Sequence, residues 1–192
     1  MTGERSGTVR GLPYHPVHCL CPHPDHPPRR VSAVEAEWNP DERWAGEDQG
    51  DRLKFTVFGA SDLVIPARVG PNRMDGLWET TCFELFFFNP ENHAGAYAEH
   101  NFSPSGEWAA YWFDRYREGR TEMDFITPDI NWVMADDRFE LRVDMDASVN
   151  PPARVSMSLT AVIEETGGHK SYWALAHPPG PPDFHNGACA TA

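Results

Sequence analysis

The sequence predicts an all-β domain, an antiparallel β-sandwich or jelly roll, and three observations carry that expectation. Short segments of alternating apolar and polar residues follow one another from residue 31 onward. Turn clusters separate them at NPENHAG, SPSGE, ADDR, NPPA and ETGGH. No stretch keeps a helical period over three turns, and no internal repeat is present.

Taken in order, residues 1–30 read as an extended Pro- and His-rich lead-in with little periodicity. VSAVEAEW (31–38) opens the domain, and DRLKFTVFGA (51–60) sets Leu53, Phe55 and Val57 on one face. LVIP (63–66) is a short strand ended by Pro66. LWETTCFELFFF (77–88), AYAEHNFS (96–103) and GEWAAYWFDRY (106–116) form the middle, followed by INWVM (130–134) and FELRVDM (139–145). ARVSMSLTAVIEE (153–165) alternates most clearly: Val155, Met157, Leu159, Ala161 and Ile163 share a face opposite Ser156, Ser158 and Thr160. GGHKSYWALAH (167–177) is its hairpin return. One domain over 31–187 follows, with 188–192 as a tail; 192 residues suit one well-buried core better than two.

Composition narrows the function classes. A net charge of −13, spread along the chain, repels phosphate backbones and argues against nucleic acid as a partner. No run of 18 apolar residues exists to span a membrane as a helix, and the N-terminus lacks the apolar core of a secretory signal. The expected location is the cytoplasm, where Cys19, Cys21, Cys82 and Cys189 are expected to be free thiols.

The informative oddity is Glu84, an acid between Phe83 and Leu85 in a run that must be buried. Strand alternation puts Trp78, Thr80, Cys82, Glu84 and Phe86 on one face, and Phe83, Leu85 and Phe87 on the other, toward the core. On the next strand Tyr97, Glu99, Asn101 and Ser103 share a face. If the two strands are neighbours, Glu84, Glu99 and Asn101 form a polar floor bounded by aromatics. A pyranose suits such a floor: its C–H faces stack on an indole and its hydroxyls donate to carboxylates. Two other readings stand beside this one. Glu84 could be a structural ion pair with Arg115 or Arg117, since a buried carboxylate without a partner costs about 3–5 kcal/mol. Alternatively, Glu84 and Glu99 could be the acid pair of a carbohydrate-active hydrolase.

At GLWETTCFELFF, YAEHNFSPSGEWAAYWFDRYREG and SYWALAHPPGPPDFH the chain resembles the bacterial DOMON-like family, which is related to type-nine carbohydrate-binding modules. The resemblance covers nearly the whole predicted domain and implies a non-catalytic β-sandwich that binds a small carbohydrate or, in other DOMON branches, haem. By that resemblance Trp78 is the first stacking tryptophan, Glu84 the acid of the following strand, and Glu99 and Asn101 the polar pair that reads hydroxyls. Trp173 is the candidate for the second tryptophan. The type-nine polar pair usually includes a base, and Glu99 departs from that pattern. Met74, Met123 and Met134 are the methionines considered for a haem, without a matching histidine. Calcium, which some relatives hold in acidic loops, would fall at NPDER (39–43) or ADDR (135–138), both of which read more simply as solvated turns.

Two further clusters stand out. His15, His18, Cys19, Cys21, His23 and His26 are all zinc-ligand types, but six prolines interrupt the run and favour an extended chain over a tetrahedral site. In PPGPPDFH (178–185), Asp183 and His185 have strand spacing, with His177 upstream. They read as a rigid loop tying down the C-terminus that also supplies rim residues for the site.

Overall fold

β-branched and aromatic residues at period two build eleven strands in the computed structural model, which describes residues 16–39, 53–89, 95–124, 126–145 and 155–190. In chain order they are β1 (Val17–Pro22), β2 (Ala33–Trp38), β3 (Leu53–Phe58), β4 (Cys82–Phe88), β5 (Tyr97–Phe102), β6 (Trp108–Phe113), β7 (Thr121–Glu122), β8 (Asp129–Ala135), β9 (Arg138–Asp144), β10 (Ser156–Glu165) and β11 (His169–Ala174). No α-helix occurs among the described residues; three single 3₁₀ turns are the only helical pieces there.

The strands form one antiparallel sheet in the order β7-β6-β5-β4-β10-β11-β1-β2-β3-β9-β8. It curls into two facing leaves, and β1 is the seam. Val17 to Leu20 pair with β2, while Cys21 and Pro22 pair with β11. The lead-in therefore supplies a strand to the sheet, ahead of the first strand expected at residue 31. Its prolines do not prevent this, because Pro22 sits at the end of the strand, where pairing stops. LVIP, expected as a strand, makes only an isolated bridge, Leu63 to Glu165.

The core lies between the leaves. Phe83 of β4 meets Phe55 at 4.9 Å and stacks on Phe139 at 5.9 Å; Phe87 meets Trp38 at 5.7 Å. Leu85, Leu159, Ala161 and Ile163 join them, as the alternation requires. The register places Glu84 opposite Asn101 of β5 on one side and Thr160 of β10 on the other. All three side chains therefore leave the sheet on the face away from that core.

That outer face is not left open. A second apolar cluster covers it, built from Cys82, Phe86, Tyr97, Tyr111, Phe113 and Val162 together with Phe184 and Cys189 from the C-terminal segment. Ser158 donates its hydroxyl to the carbonyl of Cys189 at 2.9 Å, so this segment is hydrogen-bonded to β10, and Cys189 is fully buried. Folded structure thus continues to the last described residues, past the boundary expected at 187.

The N-terminal histidines act in packing. His23 is buried, with Nε2 2.9 Å from the carbonyl of Gly180 and Nδ1 accepting from the amide of Asp25. His177 contacts the carbonyl of Cys21 through Nε2 at 2.9 Å and packs edge-on to His23. Cys19 and Cys21 are exposed on β1, and His15 lies outside the described residues. Among the described residues no three His, Cys, Asp or Glu side chains converge as metal ligands. Of NPDER only Asn39 is described, and ADDR is the tight β8–β9 turn, with Asp136 at φ 54° and Asp137 accepting from the amide of Ser61 at 2.7 Å.

Candidate functional site

The outer cluster and the C-terminal segment leave a cavity of about 460 Å³ between them. Its size falls within the roughly 300–1,000 Å³ typical of small-molecule sites. Glu84 and Glu99 form its floor; Trp78, Tyr111, Phe113, Tyr172 and Phe184 supply aromatic walls; Arg117, Arg120 and His185 add cationic and polar groups, and Val162 and Pro182 are also in the lining.

The floor follows from strand register. Glu84 pairs with Asn101, and Glu99 lies two residues from Asn101 on the same face, so the acids are diagonal neighbours on adjacent strands. Both are buried, at 3% and 4% exposure. Thr160 donates to Oε2 of Glu84 at 3.0 Å. The Asn101 amide donates to Oε1 of Glu99 at 2.7 Å. Burial pushes the Glu84 pKa up to about 8, helped by repulsion from Glu99 and only partly offset by Thr160. Burial likewise raises Glu99, against the Asn101 hydrogen bond and the charges of Arg120 and Arg117. At neutral pH the floor therefore offers a protonated acid that can donate beside a group that accepts.

Glu84 is thus not the ion pair considered as an alternative. Arg115 pairs with Glu118 at 2.7 Å, and Arg117 pairs with Asp183 at 2.9 Å.

Trp78 reaches the cavity from a 3₁₀ turn, Leu77–Glu79, and not from the extended strand expected there. Gly76, at φ 78°, starts the turn; Leu77 points inward and Trp78 remains 38% exposed, its ring edge-on to Tyr111 at 6.4 Å. Trp173 lies elsewhere. It pairs with Ala161, so it faces the core between the leaves, is 2% exposed, and donates its indole N–H to Ser171 at 2.9 Å. Asn101 is fully buried; its amide orients Glu99 and its carbonyl faces the Cys82 thiol at 3.7 Å, which places it behind the floor.

Of the two residues expected at the rim, His185 lines the cavity and Asp183 does not. Asp183 accepts from Tyr116 at 2.8 Å and from Arg117 at 2.9 Å. His185 is packed among Phe86, Tyr97 and Phe113, and burial with the nearby Arg117 charge lowers its pKa to about 4. It is neutral at neutral pH. Tyr97 Oη accepts from the amide of Arg117 and lies 2.7 Å from His185 Nδ1. Directing the phenol hydrogen at Nδ1 assigns the ring proton to Nε2.

Tyr111, Phe113, Arg120, Tyr172 and Phe184 of the lining have no signal in the sequence that marks them out. Tyr111 pairs with Glu99 across β5–β6, and Tyr172 pairs with Val162 across β10–β11. Tyr111 donates to Asp75, and the Arg120 guanidinium lies 4.9 Å from the Tyr111 ring. The residues present do not fit a haem: no methionine lines the cavity, and the lining histidine, His185, is already engaged by Tyr97. Met74 and Met134 are on the surface, and Met123 packs against the core.

The sequence matches no protein-family model and no curated protein. The fold is similar to the crystal structure of a "putative carbohydrate-binding protein" from Bacteroides uniformis, with a TM-score of 0.56 and 15% sequence identity, covering 92% of this chain and 84% of the other.

Proposed function

We propose that this chain is a non-catalytic binding module for a small carbohydrate, held in the cavity above Glu84 and Glu99. The carrying observation is the pairing of a buried acid floor with aromatic walls in one cavity. Trp78 and Tyr111 offer flat faces for the C–H side of a pyranose, at little entropic loss because aromatic side chains have few rotamers. Protonated Glu84 donates to a ring or hydroxyl oxygen, and Glu99, oriented by Asn101, accepts. Arg117 and His185 bound the mouth and select for the substituents that project from it. The name carried by the Bacteroides uniformis protein agrees with this reading, which otherwise stands on the cavity.

Titration calorimetry and tryptophan fluorescence against a panel of mono- and disaccharides test it. Saturable binding that weakens about two- to tenfold in Trp78→Ala supports the proposal, the loss of one stacking platform being worth about 0.5–1.5 kcal/mol. A panel in which no sugar binds the folded protein overturns it.

A second reading uses the same acids for chemistry. A protonated carboxyl beside a second carboxyl is the arrangement of a glycosidase, with Glu84 as the acid. Hydrolysis of chromogenic glycosides that disappears in Glu84→Gln would move the protein to that class.

A further inference from the structure

The floor of the cavity is anionic in composition, and among the described residues no arginine or lysine is hydrogen-bonded to either acid, although the charges of Arg120 and Arg117 reach Glu99 from the mouth. Oε2 of Glu84 takes the Thr160 hydroxyl, but Oε1 has no hydrogen-bond partner among the described residues. Oε2 of Glu99 has only the neutral ring of His185, at 3.8 Å. The two arginines of the lining are bound outward. Arg117 holds Asp183 at 2.9 Å, and Arg120 lies 3.8 Å from Asp75 and over the Tyr111 ring. Both are about half exposed, at the mouth. Around the acids stand the faces or edges of Trp78, Tyr111, Phe113, Tyr172 and Phe184, groups that attract cations through their π-systems.

A neutral hydroxyl satisfies such a floor incompletely. It donates one hydrogen and leaves Glu84 held in its protonated form by burial and by the neighbouring Glu99. An ammonium donates three and carries the charge that lets both acids ionise, converting a buried penalty into paired, charge-assisted hydrogen bonds.

Resting on the carbohydrate-binding reading, we infer that the preferred ligand is a sugar with a free amino group, its ammonium seated between Glu84 and Glu99 and its ring against Trp78. Binding then ionises Glu84. The O–H bond of its carboxyl breaks, the proton passes to solvent, and the ligand keeps its own ammonium protons. An N-acetylated sugar lacks the charge and is bulkier at that position, so it is disfavoured.

The test is calorimetry at pH 6.5 on the full chain with glucosamine, galactosamine and mannosamine, each beside its parent hexose and its N-acetyl derivative. Measurement in two buffers of different ionisation enthalpy counts protons. The expected result is one amino sugar binding at least tenfold tighter than its parent, with release of close to one proton per ligand, and no proton release for any parent hexose. In Glu84→Gln, with its fold checked by circular dichroism, the ratio between amino sugar and parent falls toward one and proton release disappears. Parent hexoses binding as well as or better than the amino sugars, without proton release, overturn the inference and leave carbohydrate binding standing. Failure of all the sugars to bind overturns both.

Discussion

The hydroxyl of Thr160 donates to Oε2 of Glu84 over 3.0 Å, between directly opposed positions of β10 and β4. This is the one hydrogen bond acting to hold the Glu84 pKa down. Thr160→Val keeps the shape and removes the donor. It is expected to cost about 1–2 kcal/mol, read from urea unfolding, and to move the titration of Glu84 further upward.

Glu84 makes stability depend on pH in a definite direction. Its folded pKa of about 8 lies above the ordinary 4.5, so between these values the folded state holds a proton that the unfolded state has lost. Stability falls as pH rises through that window. His100 and His185, lowered from 6.5 to about 4 by burial, work oppositely, but their contribution is complete once pH passes 6.5. Thermal unfolding between pH 7 and 9 is therefore expected to show a falling midpoint. Glu84→Gln should flatten that slope and raise the midpoint at pH 9, by roughly 2–4 °C per kcal/mol recovered. A wild-type midpoint constant from pH 7 to 9 counts against a protonated Glu84.

Glu165 shows the contrary behaviour. Burial pushes its pKa up, but the amides of Arg29, Arg30 and Val31, at 2.8, 2.6 and 3.3 Å, more than offset this and hold it below its ordinary value. Glu165→Gln turns an accepting oxygen into an NH₂ facing amide donors. A loss of about 2–4 kcal/mol is expected, with a midpoint lower by about 5–15 °C. In the wild type this contribution is present above pH 4.5 and disappears as pH falls through the depressed folded pKa.

Gly59 has φ 74°, and a Cβ added there would lie 2.2 Å from the carbonyl oxygen of Arg30. The atoms it would meet are backbone of Arg30 and Ser32, with no flexible side chain to give way. Gly59→Ala is expected to destabilise by about 3 kcal/mol or more, checked by the urea midpoint.

The alternation of β4 was legible: Phe83, Leu85 and Phe87 face inward as period two requires, and Glu84, Glu99 and their neighbours share the outer face. Trp78 lines the cavity from a 3₁₀ turn and not from the expected strand, because Gly76 turns the chain before β4 starts at Cys82. Trp173 could have been separated from the site by strand pairing, since it stands opposite Ala161, a core-facing position. The cavity walls were harder. Tyr111 and Phe113 follow Glu99 only once the β5–β6 register is known, and Phe184 and His185 reach the site by long-range closure of the C-terminal segment. β1 was hidden by its prolines, whose effect depends on where each falls relative to the strand ends.

Because Val17–Pro22 is stitched to both leaves, the two halves of the body share a spine and cannot part without tearing it. A fragment beginning at Val31 would expose the bare rims of β2 and β11 to each other and to neighbouring molecules. Such a fragment is set up to clump by rim-to-rim pairing, so any shortened version meant for study has to start upstream of residue 17.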